Sequence, residues 1–151
     1  TYEDWDWMLG VDLYGVINGM QTFVPRMIKT EKEAHIVTVS SMAAFNGSSI
    51  AAIYSAAKAA VNNMMESYRL SLGPYNIGVS VCCPANIKTN IYDSIHTRPE
   101  HLKKTGYLYN DDAIATLKRM QVGGMEPVVL ANHIKPQTLF IPKESTRIFK
   151  P

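Results

Sequence analysis

The chain has 151 residues, of which 46% are hydrophobic and 19% charged, with nine Gly and eight Pro. That suits one globular domain and excludes a disordered tract, a collagen-like repeat and a disulfide scaffold. Fifteen Lys and Arg against thirteen Asp and Glu leave a scattered formal charge of +2, so neither nucleic acid nor a membrane surface is indicated as a partner. No apolar run approaches the roughly 18 residues of a spanning helix, and no secretory leader is visible. The expectation is a soluble, cytoplasmic protein.

In chain order, Thr1 followed by Asp4 reads as a variant helix capping box. Apolar residues at Trp5, Met8, Leu9, Leu13, Val16, Ile17 and Met20 then predict one amphipathic helix that ends near Pro25. Thr30 to Glu33 is loop-like. Ile36-Val37-Thr38-Val39 is β-branched throughout and predicts a buried strand ending at Ser40-Ser41. Asn46-Gly47-Ser48-Ser49 is turn chemistry, preferred over a glycosylation acceptor. A second helix is predicted from Ile53 to about Leu72, with Tyr54, Lys58, Val61, Met65, Tyr68 and Leu72 on one side and Gly73-Pro74 as its stop. Ile77 to Cys83 is a second buried strand, broken by Pro84. Its adjacent cysteines, Cys82 and Cys83, would point to opposite faces as reduced core residues.

Beyond Pro84 the pattern weakens. Arg98 to Tyr109 reads as irregular, and Asp111 to Met120 as a helix broken by Gly123-Gly124. Pro127 opens a last helix to about Lys135, and Leu139-Phe140-Ile141 makes a short final strand. Helices alternating with strands predict an α/β fold with a parallel sheet covered by helices. Three strands are few for such a sheet, and the first has no evident neighbour on one side. The half-sheet looks incomplete, and the chain is one domain or part of one.

Tyr54-Ser55-Ala56-Ala57-Lys58 places a phenol and an ammonium at i and i+4, on one helix face. A free phenol titrates near pH 10, about three units too high for efficient proton exchange at neutral pH. A cation within a few ångströms favours the phenolate, so the pair makes a sensible general acid/base unit. The bare spacing is common on helix surfaces and says little alone. Ser41 adds to it: the hydroxyl ends a buried strand, where ligands bind in open α/β sheets. His35, His96, His101 and His133 have no metal-ligand spacing, and Cys82-Cys83 is no zinc pair, so no metal is expected. Met64, Met65 and Tyr68 read as core or subunit contact, and Lys103-Lys104 as solvated.

Taken together, Ile36-Val37-Thr38-Val39-Ser40-Ser41, Tyr54-Ser55-Ala56-Ala57-Lys58 and Val79-Ser80-Val81-Cys82-Cys83-Pro84 resemble the short-chain dehydrogenase/reductase family, with Ser41 thirteen residues before Tyr54. The likeness is firm to about residue 95 and looser to 141. Gly15-Val16-Ile17-Asn18-Gly19-Met20, Thr22-Phe23-Val24-Pro25-Arg26-Met27 and Pro84-Ala85-Asn86-Ile87-Lys88 look more narrowly like the bacterial Cα-dehydrogenases of lignin β-aryl ether breakdown. The resemblance implies a Rossmann-like, doubly wound parallel sheet, of which these residues are the C-terminal, catalytic part. It implies hydride transfer between NAD or NADP, with NAD favoured, and a secondary alcohol or ketone. The narrower likeness points to a benzylic alcohol of an aryl ether.

By the same resemblance Tyr54 would be the general acid/base and Ser41 would orient the substrate oxygen. Lys58 would bind the nicotinamide ribose. Pro84 to Thr89 would lie along the nicotinamide, with the Ile87 backbone and the Thr89 hydroxyl at the carboxamide. Many relatives have Pro-Gly where this chain has Pro84-Ala85, a methyl that would crowd the cofactor but that the ether-cleaving relatives share. Tyr92, Tyr107, Tyr109 and Met125 would line an aromatic substrate pocket, with loop exposure as the competing reading. The helices starting at Thr1 and Ile53 would form a four-helix contact in a homodimer or homotetramer.

Two departures qualify the likeness. Asp12 stands where the family usually has an asparagine that holds a water linked to the lysine. It also falls inside the apolar stripe, where an unpaired carboxylate would cost several kcal/mol, so Lys58 or a water on it is the expected partner. A solvated helix edge is the alternative. The second departure is larger: no Gly-rich turn follows a strand, although a dinucleotide pyrophosphate needs one. The end also looks compressed, since Thr146-Arg147-Ile148-Phe149 resembles a segment found farther on in relatives. Two functions remain open: an NAD(P)-dependent oxidoreductase, or a non-catalytic fragment or pseudoenzyme acting through dimer association.

Overall fold

The computed structural model describes residues 1–47, 50–106 and 111–137. Two helices lead, α1 (Tyr2–Asp12) and α2 (Tyr14–Thr30), followed by strand β1 (Ala34–Val39), helix α3 (Ala52–Leu72) and strand β2 (Ile77–Cys82). Short 3₁₀ turns at Met42–Ala44, Gly73–Tyr75, Ile91–Thr97 and Glu100–Leu102 join them to α4 (Asp111–Val122) and α5 (Pro127–Gln137). The predicted strand at Leu139-Phe140-Ile141 and the Thr146 to Phe149 segment lie outside the described residues. No helix among the described residues is long and apolar enough to cross a membrane.

The single leading helix of the sequence reading is interrupted at Leu13, whose backbone departs from helical values (φ −110°, ψ −57°). Its N–H still bonds Leu9 O, and its carbonyl still accepts from Ile17, so the two segments run on with hydrogen bonds across the break. The expected end at Pro25 is wrong, since α2 continues to Thr30. Proline removes the donor for the Gln21 carbonyl. Both residues are exposed, so solvent can take that carbonyl, while Val24, Met27 and Ile28 keep packing on the core. The actual stop is Glu31, in the left-handed region at φ 54°, with its N–H on Ile28 O.

Strands β1 and β2 pair in parallel, Ala34 opposite Ile77 through Val39 opposite Cys82. Alternation then decides which face sees which helix. Ala34 and Ile36 with Ile77, Val79 and Val81 face α2 and α3, where Met20, Val24, Val61, Met65 and Leu72 complete the core. Val61 and Met65 are fully buried, at the i, i+4 spacing predicted for α3. The other face carries Val37, Ser80 and Cys82, which with Leu130, His133 and Ile134 of α5 line a cavity of about 110 Å³. Helices thus cover both faces of the sheet. On the outer side of β1, Phe23 of α2 and Val39 border an open apolar groove, and among the described residues the sheet has two strands.

Two expectations of burial need correction. Trp5, placed on the inner stripe, is 40% exposed. Cys82 and Cys83 are free thiols but only half-buried, and Cys83 already lies past the end of β2. Burial and the neighbouring Cys83 push the Cys82 thiol up from its usual value.

Candidate active site

The strand ends build one edge of the site. Past the ladder the two chains stay joined, with Ser40 N–H on Cys82 O at 2.7 Å and Met42 N–H on Pro84 O at 3.0 Å. This brings Ser41 and the Pro84 to Thr89 stretch to the same carboxyl end of the sheet. Ser41 is extended (φ −159°), and its Oγ accepts the Ala43 N–H at 3.1 Å. That bond orients the hydroxyl and leaves its proton without an acceptor among the described residues.

The turn after Ser41 packs on α3, which carries Tyr54 and Lys58. Two serines fix the helix there. Ser55 Oγ donates to Asn46 O at 3.3 Å, and the buried Ser40 Oγ donates to the Lys58 carbonyl at 3.2 Å. The i, i+4 spacing works as expected, with Lys58 Nζ 5.5 Å from the centre of the Tyr54 ring. Asp12, the last residue of α1, places Oδ1 2.8 Å from Lys58 Nζ. The side chains are 11% (Lys58) and 22% (Asp12) exposed, so the carboxylate does have the partner its place in the stripe required. Asp12 is the ion-pair partner of this ammonium among the described residues.

The stretch after Pro84 is held from the other side. Met125 N–H bonds Asn86 O and Lys88 N–H bonds Met125 O, both at 2.9 Å, making a parallel bridge between Ile87 and Met125. Lys88 Nζ adds an ion pair with Glu126 Oε1 at 2.6 Å. Gly124 makes this approach possible, because a Cβ there would sit 2.7 Å from Asn86 O. The sequence reading saw Gly123-Gly124 only as a helix breaker and missed this support. It also missed Ser40. Thr89 Oγ1 accepts the Ile91 N–H at 3.4 Å, and Ala85 is exposed.

The proposed aromatic lining comes together only in part. Tyr92 is half-buried, with Lys118 Nζ 4.9 Å from its ring centre. Met125 is 44% exposed. Tyr107 and Tyr109 lie outside the described residues. The groups at hand suit the nicotinamide-ribose end of a dinucleotide. Lys58 presents an ammonium for hydroxyls, and Pro84 to Thr89, braced by Met125, lies at the same end of the sheet.

A parallel sheet wrapped on both faces, with Ser, Tyr and Lys at its carboxyl end, defines the Rossmann-like α/β class. Residues 1–100 match the family described as short chain dehydrogenase, and the chain belongs to that family. It is 55% identical over 135 residues to a C alpha-dehydrogenase of Sphingobium sp. (strain NBRC 103272 / SYK-6), covering 89% of this chain and 44% of that protein. Among solved structures, the apo form of LigD from Sphingobium sp. strain SYK-6 is 44% identical with a TM-score of 0.55, covering 94% of this chain and 56% of that one. A short chain dehydrogenase/reductase from Burkholderia phymatum in complex with NAD superposes with a TM-score of 0.83 at 29% identity, covering 93% and 53%. The chain therefore spans about half the length of these relatives.

Proposed function

We propose that these residues form the proton-transfer part of an NAD(P)-dependent oxidoreductase that interconverts a secondary alcohol and a ketone. The observation that carries this is the Asp12–Lys58–Tyr54 cluster at the carboxyl end of the sheet, beside Ser41. A benzylic alcohol of a lignin-type aryl ether is the proposed substrate, and the 55% identity to a C alpha-dehydrogenase supports it. NAD is favoured over NADP on the same ground. Cytoplasmic location and a homodimer or homotetramer complete the reading.

NAD, when bound, supplies the acceptor for the hydride that leaves the carbinol carbon. Tyr54 takes the hydroxyl proton as the carbonyl forms. Ser41 donates its O–H to the same oxygen, aimed by the bond from Ala43. Lys58, beside the Tyr54 ring, offers its ammonium N–H groups to the ribose hydroxyls. Asp12 holds that ammonium in place. The pyrophosphate would need a Gly-rich turn that these 151 residues lack, so the activity is proposed for a polypeptide that includes one.

The test is NADH formation by that polypeptide with a benzylic secondary alcohol and an aliphatic one of similar size. The expected result is turnover of both, with the benzylic substrate ahead by roughly tenfold or more in kcat/KM. Bound NAD without oxidation of any secondary alcohol would overturn the reading. A second reading, action by association alone, draws on the exposed Val11, Phe23 and Leu70 of the leading helices and α3. NADH formation excludes it as the sole function.

A further inference from the structure

The most elaborate polar cluster outside the site surrounds Arg98. This residue is 7% exposed, yet it belongs to the segment between the 3₁₀ turns, where little else is buried. Its Nη1 donates to Asp4 Oδ1 at 2.8 Å and its Nε to the Leu102 carbonyl at 2.8 Å. Nη2 reaches Thr105 Oγ1 at 3.4 Å, and the guanidinium carbon lies 5.1 Å from the centre of the Trp7 ring. Asp4 is itself fixed, since its other oxygen, Oδ2, accepts the Thr1 hydroxyl at 3.0 Å. Gly106 closes the loop at φ +79°, and a Cβ there would fall 2.3 Å from both Arg98 Nη2 and Asp4 Oδ1. The chain from 98 to 106 is thus folded around one guanidinium and seated on the first turns of α1.

A buried guanidinium tolerates few alternatives, because losing its partner strands a charge away from water. The seat therefore gives the segment one strongly preferred position. Two connections link that position to the site. The segment leaves the Pro84 to Thr89 wall directly, returning to α1 at Arg98. Helix α1 also carries Asp12, eight residues or about 12 Å along its axis from Asp4. One rigid helix thus holds both Lys58 and the return point of the segment.

We propose that Arg98 is a positioning residue. By fastening the 91–106 segment to α1 it fixes that segment relative to Tyr54 and Lys58, and so sets how the alcohol substrate is held. The part concerning substrate rests on the function proposed above; the fastening itself does not.

The experiment compares the wild-type polypeptide with Arg98→Lys and Arg98→Ala, by amide hydrogen exchange and steady-state kinetics. Arg98→Lys keeps a cation near Asp4 but loses the Nε bond to Leu102, so it tests the fastening even if the alanine variant fails to fold. Expected are exchange at least about tenfold faster confined to 91–106, and a KM for the alcohol raised about tenfold. The KM for NAD and kcat should stay within about threefold. Exchange that stays unchanged, or rises evenly over the whole chain, would overturn the fastening. A loosened segment with an unchanged alcohol KM would overturn the role in substrate positioning. If the wild type oxidises no alcohol, the proposed function fails instead, and the local exchange pattern alone decides for or against the fastening.

Discussion

Two aspartates of α1 each hold a cation at 2.8 Å, and the two pairs are built differently. Asp4 faces a guanidinium whose other nitrogens are also occupied, by a carbonyl and a hydroxyl, under a tryptophan ring. Asp12 faces an ammonium with no second ion pair among the described residues, against a half-buried phenol. A cation that holds chain segments together is most useful when each of its nitrogens donates internally, as all three guanidinium nitrogens of Arg98 do. A cation that must meet a ligand has to keep donors in reserve. The same helix thus presents a closed pair at its start and an open one at its end.

The largest expected effect separates the two roles. Lys58→Ala should lower turnover by about 10²–10³-fold, because the phenol loses its cation and the ribose its donors. Asp12 is then left in the apolar stripe without its cation, so unfolding free energy should also fall, by about 2–3 kcal/mol in a urea titration. Gly106→Ala should destabilise without the loss of turnover. The added methyl meets the Arg98–Asp4 pair at a positive φ, so we expect a loss of about 2–3 kcal/mol in the same titration. With saturating alcohol its turnover should stay close to wild type. If Gly106→Ala lowered turnover at saturating alcohol as far as Lys58→Ala, the distinction between open and closed pairs would be wrong.

A smaller effect lies on the opposite sheet face. His35 Nε2 is 2.9 Å from Ser80 Oγ, and burial holds the imidazole below its usual 6.5. The unfolded chain therefore binds this proton first as pH falls. Stability is fully present above 6.5 and declines as pH drops through that value toward the lower folded one. His35→Gln cannot titrate and should show a flatter melting temperature across that window. At the far end of the scale, Glu66 and Arg69 pair in the open on α3, and Glu66→Ala should leave both stability and turnover unchanged within error.

What the sequence made legible follows from locality. Tyr54 and Lys58 are one helical turn apart, and Ser41 ends a strand marked by four consecutive β-branched residues, so short-range patterns expose all three. Asp12 was legible for a different reason: a carboxylate in an apolar stripe demands a partner, and Lys58 was the one at hand. Pro25 misled, because the rule that proline ends helices weakens when the carbonyl it orphans is exposed. Arg98 left no signal at all. Its partner Asp4 is ninety-four positions away, and an arginine before a proline in a polar stretch looks like any solvated residue. The Met125 brace on Asn86 and Lys88 was hidden likewise, though Gly123-Gly124 marked where two backbones come close.

The central claim is that Tyr54 moves the proton, and its removal tests that most directly. In a polypeptide that includes these residues and oxidises a secondary alcohol with NAD, Tyr54→Phe deletes one oxygen and keeps the ring under Lys58. Turnover should fall by about 10³-fold with NAD still bound and the fold intact by circular dichroism. Turnover within a few-fold of wild type would contradict the account, and the proton would have to leave by another group.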